Sequence, residues 1–165
     1  GLKKLNYMDL LNKTIHPYFG TKEFQIGKNM SSLIDILHDT SYDEKEISLF
    51  GFQINISFFG SIRVSINIAS GIIFRTVYFG KYKGKTIHGI GIGSKVKDLF
   101  KTGLTICTDD DAILMGEKCE VPFKYIFYIN NEGLFIQNIN DVLEHEITAI
   151  VTELPLYDLE LTNSV

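Results

Sequence analysis

The sequence predicts an α+β protein whose main element is an antiparallel, twisted sheet or half-sandwich, with short N-terminal and mid-chain helices packed on one side. Two observations carry this prediction. Apolar residues recur at helical spacing near the amino terminus, and from Ile47 onward they mostly alternate with small or polar residues at a period of two. A helical start followed by successive hairpins favours α+β over the alternating βαβ units of a parallel sheet.

The helical part comes first. Apolar side chains share one face of a helix that begins near Tyr7 and is limited by Pro17, and a second helix is predicted for residues 29–37. The polar and acidic segment 39–46 is predicted to be a loop. At 165 residues the chain suits one domain. We divide this single predicted domain (1–165) into a helical part (1–46), a β-rich core (47–154) and a tail (155–165).

Period-two alternation and turn residues predict the strands of the core. In the first half we expect three antiparallel strands, at 47–58, 62–69 and 72–79, separated by Gly60-Ser61 and Ser70-Gly71. In the second half we expect a short helix at 96–101, a turn at 130–133, and strands at 112–115, 123–129, 134–139 and 146–154.

Two segments of the sequence resemble each other. Residues 24–34 and 90–100 each contain an extended stretch, a glycine (Gly27 and Gly93), a short polar cap and an apolar helical face. This likeness indicates either an internal duplication or the common sequence pattern of a strand-to-helix turn.

Composition argues against two kinds of partner. The chain is 45% hydrophobic and 22% charged, as ordinary globular proteins are, and its net charge is −4. This acidity argues against a nucleic-acid partner, which normally meets a basic patch. No apolar run reaches the ~20 residues of a membrane-spanning helix, so we expect no membrane partner. Gly1 in place of a methionine suggests that an upstream segment was removed.

The two cysteines, Cys107 and Cys119, lie twelve positions apart. We expect them to be buried and reduced rather than paired, because two thiols suit a cytosolic protein better than a disulfide scaffold. The expected location is therefore cytoplasmic.

The run Thr86–Phe100 resembles a phosphate-binding loop, but its spacing is wrong. Its three alternating glycines form G-x-G-x-G, whereas a P-loop requires G-x-x-x-x-G-K-S/T and a dinucleotide turn requires G-x-G-x-x-G. We expect Gly93 to permit a sharp turn and Ser94 to cap the helix that follows. Three apolar residues of that helix are expected to dock on the sheet: Val96, Leu99 and Phe100. No cofactor is predicted.

Acidic residues cluster at two places, the triplet Asp109-Asp110-Asp111 and the segment that holds Asp39, Asp43, Glu44 and Glu46. The triplet lacks the oxygen spacing of an EF-hand, and adjacent carboxylates on an extended chain point to opposite faces, so no metal site is predicted. Both clusters are candidate contact groups for a basic partner protein. The alternative is that both are ordinary solvated turns.

No motif nominates a catalytic group. The four histidines are scattered, and His145-Glu146 lacks the second histidine of a zinc-protease helix because Ala149 stands in its place. The motifs G-x-S-x-G and Cys-x-x-Cys do not occur. We therefore expect a protein that is not an enzyme.

Two stretches carry a resemblance to a known family. The first runs from Tyr82 to Gly103 and leads into Asp109–Asp111, and the second runs from Val121 to Ile129 and continues through Asn131–Ile136 and Ile147–Val151. Their pattern of hydrophobic and glycine positions resembles the immunity proteins found beside bacterial polymorphic and contact-dependent inhibition toxins. The resemblance covers residues 82–151 and includes no diagnostic catalytic residue.

The resemblance implies a cytoplasmic, non-enzymatic protein that binds one cognate toxin domain and covers its active site or substrate-binding surface. A nuclease is the expected toxin, because nucleases present basic surfaces toward which an acidic inhibitor is attracted. The main alternative is a small-ligand-binding or structural β-rich module, with an apolar ligand held between the sheet and the helices. A hydrolase is the least favoured alternative, because no local motif identifies its residues.

Overall fold

One eight-stranded antiparallel sheet dominates the computed structural model, which describes residues 7–38 and 45–154. The predicted α+β class, an antiparallel sheet with a few short helices, is confirmed. The strands lie in the order β1-β2-β3-β4-β8-β7-β6-β5. Their bounds are β1 Lys45–Phe50, β2 Gln53–Phe58, β3 Ile62–Asn67, β4 Ile73–Phe79, β5 Thr105–Asp109, β6 Ala112–Gly116, β7 Tyr125–Ile129 and β8 Ile147–Glu153.

The helices are short. In the described ranges, two are α-helical, α1 (Tyr7–Leu10) and α2 (Ile34–His38), and four are 3₁₀ helices, at Lys22–Phe24, Met30–Leu33, Val96–Thr102 and Ile139–Val142. The described part of the first predicted helix is one turn, Tyr7–Leu10. It ends early because the chain becomes extended and Ile15 pairs with Thr86, where the Ile15 amide donates to the Lys85 carbonyl at 2.9 Å. The predicted tail, 155–165, lies outside the described residues.

One strand prediction in the first half needs a correction. The segment predicted as one strand, 47–58, is a hairpin of β1 and β2 in which Phe50 pairs with Gln53. Its turn places Gly51 at a φ of +58°, a conformation that glycine adopts without strain. The alternation of Phe50 and Phe52 across this turn concealed it. The meander therefore has four strands instead of three.

The second half also differs from its prediction at two places. Strand β5 was missed, because the run Thr-Ile-Cys-Thr-Asp alternates too weakly to signal a strand. The strand predicted at 134–139 was wrong, since this part of the chain leads instead into the 3₁₀ helix Ile139–Val142. The partner of β7 is β8, and the two strands are joined by a connection of seventeen residues (130–146).

The inner face of the sheet holds the main core. Alternate side chains of the strands, such as Phe58 on β2, Ile62 on β3 and Phe127 on β7, are completely buried there. The covering segments contribute Leu33, Ile36, Val96 and Leu99 to the same cluster. The helices therefore pack on one side of the sheet, as predicted.

Among the described residues, one connection packs on part of the outer face. Ala112, Ile126 and Val151 form a second, smaller buried cluster there, against which Phe123 packs. Phe123 belongs to the eight-residue connection 117–124 between β6 and β7. Through Phe123, this connection therefore covers part of the outer face formed by β6–β8.

A disulfide holds the same connection in place. Cys107 on β5 is bonded to Cys119, with the two Cα atoms 5.9 Å apart, so the prediction of two reduced cysteines was wrong. Neither residue is deeply buried, since Cys107 is half-buried and Cys119 is exposed. Sequence spacing alone did not reveal the pairing, because it depends on the connection folding back over the outer face.

The sheet consists of two similar halves. Strands β1–β4 form one antiparallel meander and β5–β8 form another, and the two last strands, β4 and β8, pair antiparallel at the centre. In each half, the last strand lies at the centre of the sheet and the first strand lies at its edge. The two halves are therefore related by a pseudo-twofold axis between β4 and β8. Each is also preceded by a 3₁₀ helix that follows a glycine of positive φ, Gly27 in the first half and Gly93 in the second.

The backbone contacts of these two glycine segments are the same. In the first half the Gly27 amide donates to the Ile73 carbonyl at 2.8 Å, and the Ile73 amide donates to Lys28 at 2.9 Å. The second half repeats both bonds with Gly93, Ser94 and Ile147, at 2.8 and 2.7 Å. A shared turn pattern alone does not require matched docking on matched strands. Of the two explanations for the sequence likeness, internal duplication therefore fits better.

The helix after Gly93 differs slightly from its prediction. Lys95, not Ser94, is the N-cap residue, and its amide donates to the Asp98 carboxylate at 3.0 Å. Ser94 instead accepts a hydrogen bond from the Gly91 amide at 3.0 Å. Val96 and Leu99 are buried as predicted. Phe100 was predicted to dock on the sheet but is exposed.

Candidate functional site

The acidic triplet forms the turn between β5 and β6. Asp109 pairs with Ala112 across the turn, and Asp110 has a φ of +52°, which aspartate tolerates better than most residues. Asp109 and Asp110 are exposed and Asp111 is half-buried. The tight turn thus presents adjacent carboxylates at one end of the sheet.

The long connection between β7 and β8 lies against this turn. The Ile136 amide donates to the Asp110 carbonyl at 2.7 Å, which joins the two segments. Immediately before Ile136, the side chains of Leu134 and Phe135 are 63% and 70% exposed. Exposed apolar groups beside charged ones are typical of protein-binding surfaces. We name the turn 109–111 and the connection 130–146 together the acidic end.

The two segments of the acidic end contain many carboxylates and no lysine or arginine. Residues 130–146 contain four carboxylates and no lysine or arginine, and residues 109–111 add three more carboxylates. Nearby lysines compensate one of them, because Lys95 and Lys97 donate to Glu144 at 2.8 and 2.9 Å. These hydrogen bonds lower the pKa of Glu144 to about 2. The remaining carboxylates leave a negative surface.

A shallow depression adjoins the exposed apolar pair. It has a volume of about 670 Å³ and is lined by the segment from Asn131 to His145, including Leu134 and Phe135. Ile136 and Val142 line it as buried residues that belong to the main core. The depression therefore has an apolar base that belongs to the core, and Asp141 is the one acidic residue among its described lining residues.

The other predicted contact residues are not joined to this end. Asp39, Asp43 and Glu44 lie outside the described residues. Glu46 belongs to β1, where it is paired with Ser57. Because β1 and β5 are the two opposite edges of the sheet, the backbone position of Glu46 is remote from Asp109–Asp111. The structure thus brings the triplet together with Leu134 and Phe135, which the sequence pattern had assigned to a strand.

The geometry offers no assembled metal site in the described part of the chain. Within residues 7–38 and 45–154, no group of three or more His, Cys, Asp or Glu side chains is placed to hold a metal ion. Among the described helices, none has the length and apolar character needed to cross a bilayer.

The fold and the acidic end define a class of protein in structural terms only, an α+β protein with one antiparallel sheet of two similar halves. The chain is similar in fold to the uncharacterized protein yfeY from Escherichia coli, seen in a crystal structure. The TM-score is 0.52 with 12% sequence identity, over 86% of this chain and 100% of that chain. At this identity the likeness concerns the fold alone. No family model and no curated protein matches the sequence.

Proposed function

We propose that the chain is an immunity protein that binds a cognate bacterial toxin domain through the acidic end and blocks its active site or substrate-binding surface. The observation that carries the proposal is the contact between Asp110 and Ile136. It joins a turn of carboxylates to two exposed apolar side chains, so charge attraction and apolar burial are available on one surface.

The chemistry of this surface suits a basic protein partner. The carboxylates of the acidic end attract a basic surface over a distance and increase the rate at which the two proteins associate. Leu134 and Phe135 can then be buried in the contact, where removal of apolar surface from water is favourable. Phenylalanine is also one of the residue types enriched at protein interfaces. A nuclease toxin has the required positive surface, because its substrate is a polyanion.

Coexpression with the toxin tests the proposal directly. The toxin domain encoded immediately upstream is expressed in cells with or without this chain, and survival is measured. We expect the chain to protect the cells. Continued sensitivity to that toxin in cells that contain the folded chain contradicts the proposal.

A charge-matched pair of variants identifies the surface. In the test variant, Asp109, Asp110 and Asp111 are changed to asparagine, and protection should be lost or reduced. In the control variant, Asp9, Glu23 and Asp35 are changed to their amides, which removes the same charge from the N-terminal part, and protection should persist. Equal loss in both variants points to net charge and against a contact at the acidic end.

The alternative of an apolar ligand between sheet and helices is less well supported. The inner side chains of β3, Ile62, Val64 and Ile66, are completely buried within the main core. Close packing of this kind favours a filled core over a ligand cavity. Native mass spectrometry that retains a bound apolar molecule would revive this alternative.

The disulfide affects the proposal that the chain is located in the cytoplasm. The cytoplasmic expectation rested on two reduced thiols, and the Cys107–Cys119 bond removes that support, because disulfides persist mainly in oxidising compartments. Thiol labelling in intact cells decides between the two locations. Unlabelled cysteines favour an oxidising compartment, whereas labelled cysteines favour the cytoplasm.

A further inference from the structure

The chain contains only two arginines, Arg63 and Arg75, beside fourteen lysines. Arg63 lies on β3 and Arg75 on the neighbouring strand β4. The register pairs Arg63 with Val77 and Arg75 with Ser65. The two arginines are therefore diagonal neighbours on the same face, a separation within reach of long side chains. That face is the outer one, opposite the main core.

Arg75 is incompletely satisfied. Its Nε atom is buried and has no hydrogen-bond partner among residues 7–38 and 45–154, although a terminal nitrogen donates to the Tyr128 hydroxyl at 3.4 Å. Glu153 is the nearest acid, with 3.6 Å between Arg75 Nε and the carboxylate, which is beyond a good hydrogen bond. The buried Nε–H group is out of reach of an arriving acceptor, so a ligand has to bind through the remaining part of the side chain, which is 35% exposed as a whole.

Glu153 is a weak counterion for a second reason. Burial raises the pKa of its carboxyl group, and the charge of Arg75 opposes that effect only in part. The ionised form of Glu153 is thus less favourable than the ionised form of an exposed glutamate, which weakens Glu153 as a counterion for Arg75.

Arg63 is held in position by its neighbours. Its guanidinium carbon lies 5.3 Å from the centre of the Phe79 ring, and its Nε donates to the Ser57 hydroxyl at 3.3 Å. Stacking on an aromatic ring fixes the plane of a guanidinium and leaves its terminal N–H groups available.

The two side chains line one shallow depression of about 500 Å³. No aspartate or glutamate is among the described residues that line it. Two arginines thus line one depression in a chain of net charge −4, and Glu153, which does not line it, offsets part of the charge of Arg75. Its polar wall is ordered by hydrogen bonds, since the Ser65 hydroxyl and the Gln53 amide both donate to Asn55 Oδ1, at 2.6 and 3.1 Å.

We propose that Arg63 and Arg75 form a binding site for a carboxylate group, supplied by a free organic acid or by an acidic side chain of a protein. A guanidinium offers two parallel N–H donors, which match the two oxygens of a carboxylate. The site goes beyond the proposed toxin binding, since it lies on the open outer face and needs positive instead of negative charge.

The surroundings favour a carboxylate over a phosphate. Val77, Phe79 and Ala149 line the same depression and give it an apolar part that suits the hydrocarbon portion of an organic acid. No lysine is among its described lining residues, whereas sites that hold multiply charged phosphates commonly add lysine or a helix N-terminus.

Nuclear magnetic resonance of the arginine side chains tests this site, because the chain gives only two arginine Nε–Hε signals. The ¹⁵N-labelled protein is titrated with succinate, with N-acetyl-glutamate amide and with inorganic phosphate, at an ionic strength held constant with chloride. We expect the Arg75 signal to shift and saturate with a carboxylate probe, and to shift much less with phosphate. Tighter binding of succinate indicates a free acid, and tighter binding of the glutamate derivative indicates a protein side chain.

Two conservative variants and one control complete the test. Arg75→Lys and Arg63→Lys keep the charge but lose the paired donors, so each should weaken carboxylate binding by about tenfold. Lys101→Gln removes an exposed charge elsewhere and should change nothing. The amide spectrum of each variant shows whether it is folded. Unsaturated shifts with both carboxylates, stronger binding of phosphate, or unchanged affinity in both folded lysine variants overturns the proposal.

Discussion

At the scale of single residues, three tyrosine hydroxyls fasten the N-terminal segment to the rest of the fold. The Tyr78 hydroxyl accepts from the Thr21 amide at 2.8 Å. The hydroxyls of Tyr82 and Tyr125 donate to the carbonyls of Lys13 and Ile15, at 2.6 and 2.5 Å. These bonds join positions far apart in sequence, so no local pattern announces them.

Replacement of Tyr78 by phenylalanine should lower the free energy of unfolding by about 1–3 kcal/mol. The ring stays in the core, but the buried Thr21 amide loses its acceptor. Denaturant unfolding followed by circular dichroism measures the change. Tyr7→Phe is the matched control, because Tyr7 is exposed and contacts Phe59 through its ring. Equal stability of Tyr78→Phe and the unchanged protein would show that this hydroxyl contributes nothing.

The same tyrosines predict a loss of stability at alkaline pH. Burial raises the pKa of Tyr78 and of Tyr125 from 10.0 to about 12, and it also raises the pKa of Tyr82. A phenol whose pKa is higher in the folded state binds more protons there, so its contribution is complete below pH 10 and is lost as pH rises toward 12.

Absorbance at 295 nm against pH, recorded with stability, measures this effect. We expect a group of tyrosines to ionise only as the protein unfolds. Complete, reversible ionisation of all tyrosines near pH 10 in the folded protein would contradict it.

At the scale of elements, period-two alternation predicted the strands that have one buried and one open face. Strand β3 is the clearest example, since Ile62, Val64 and Ile66 are buried while Arg63 is exposed. The pattern failed at Gly51, where apolar residues continue through the turn, and at β5, an edge strand of mixed character. The alternation of apolar and polar residues reflects the burial of every second side chain. It therefore cannot separate a strand from a turn where the residues of both are equally exposed.

The duplicated glycine turns give an element-scale prediction. Gly27 and Gly93 have φ values of +92° and +90°, and a Cβ atom at either position would meet no atom within 4 Å. Alanine should therefore strain only the backbone, and each replacement should cost about 1–2 kcal/mol. Thermal or denaturant unfolding of the two single variants measures the costs, which should be similar because the turns dock in the same way.

Gly116→Ala is the control for this pair. Gly116 lies on β6 without a positive φ, and a Cβ atom there would meet only ordinary contacts, the nearest at 3.5 Å. Its replacement should change stability little. A cost at Gly93 and none at Gly27 would contradict the structural equivalence of the two halves.

At the scale of the whole molecule, the two halves share a framework and differ in their connections. The first tight turns match, with Gly51 and Asp110 both at positive φ. Where the first half has a three-residue turn (59–61) between its second and third strands, the second half has the connection 117–124. Where the first half has a five-residue turn (68–72) between its third and fourth strands, the second half has the connection 130–146. Loops commonly carry function on a rigid scaffold. The larger addition forms most of the acidic end, and the smaller one contributes none of the described residues that line the arginine depression.

The candidate sites were only partly predictable from the sequence. The carboxylates of Asp109–Asp111 stand out as a run, so composition finds them. Leu134 and Phe135 do not stand out, because an apolar run after a turn signal equally predicts a strand. The arginine pair depends on the register between β3 and β4, which determines that Arg63 and Arg75 share a face and is not visible in one sequence.

The affinity of the chain for the toxin domain encoded upstream tests the central claim most directly. Isothermal calorimetry at several salt concentrations compares the unchanged chain with a variant in which Asp109, Asp110 and Asp111 are asparagine. We expect tight binding that weakens as salt rises, and about 10- to 100-fold weaker binding of the variant with a smaller salt dependence. Equal affinity and equal salt dependence of the two proteins, or no binding of the unchanged chain, would contradict the account.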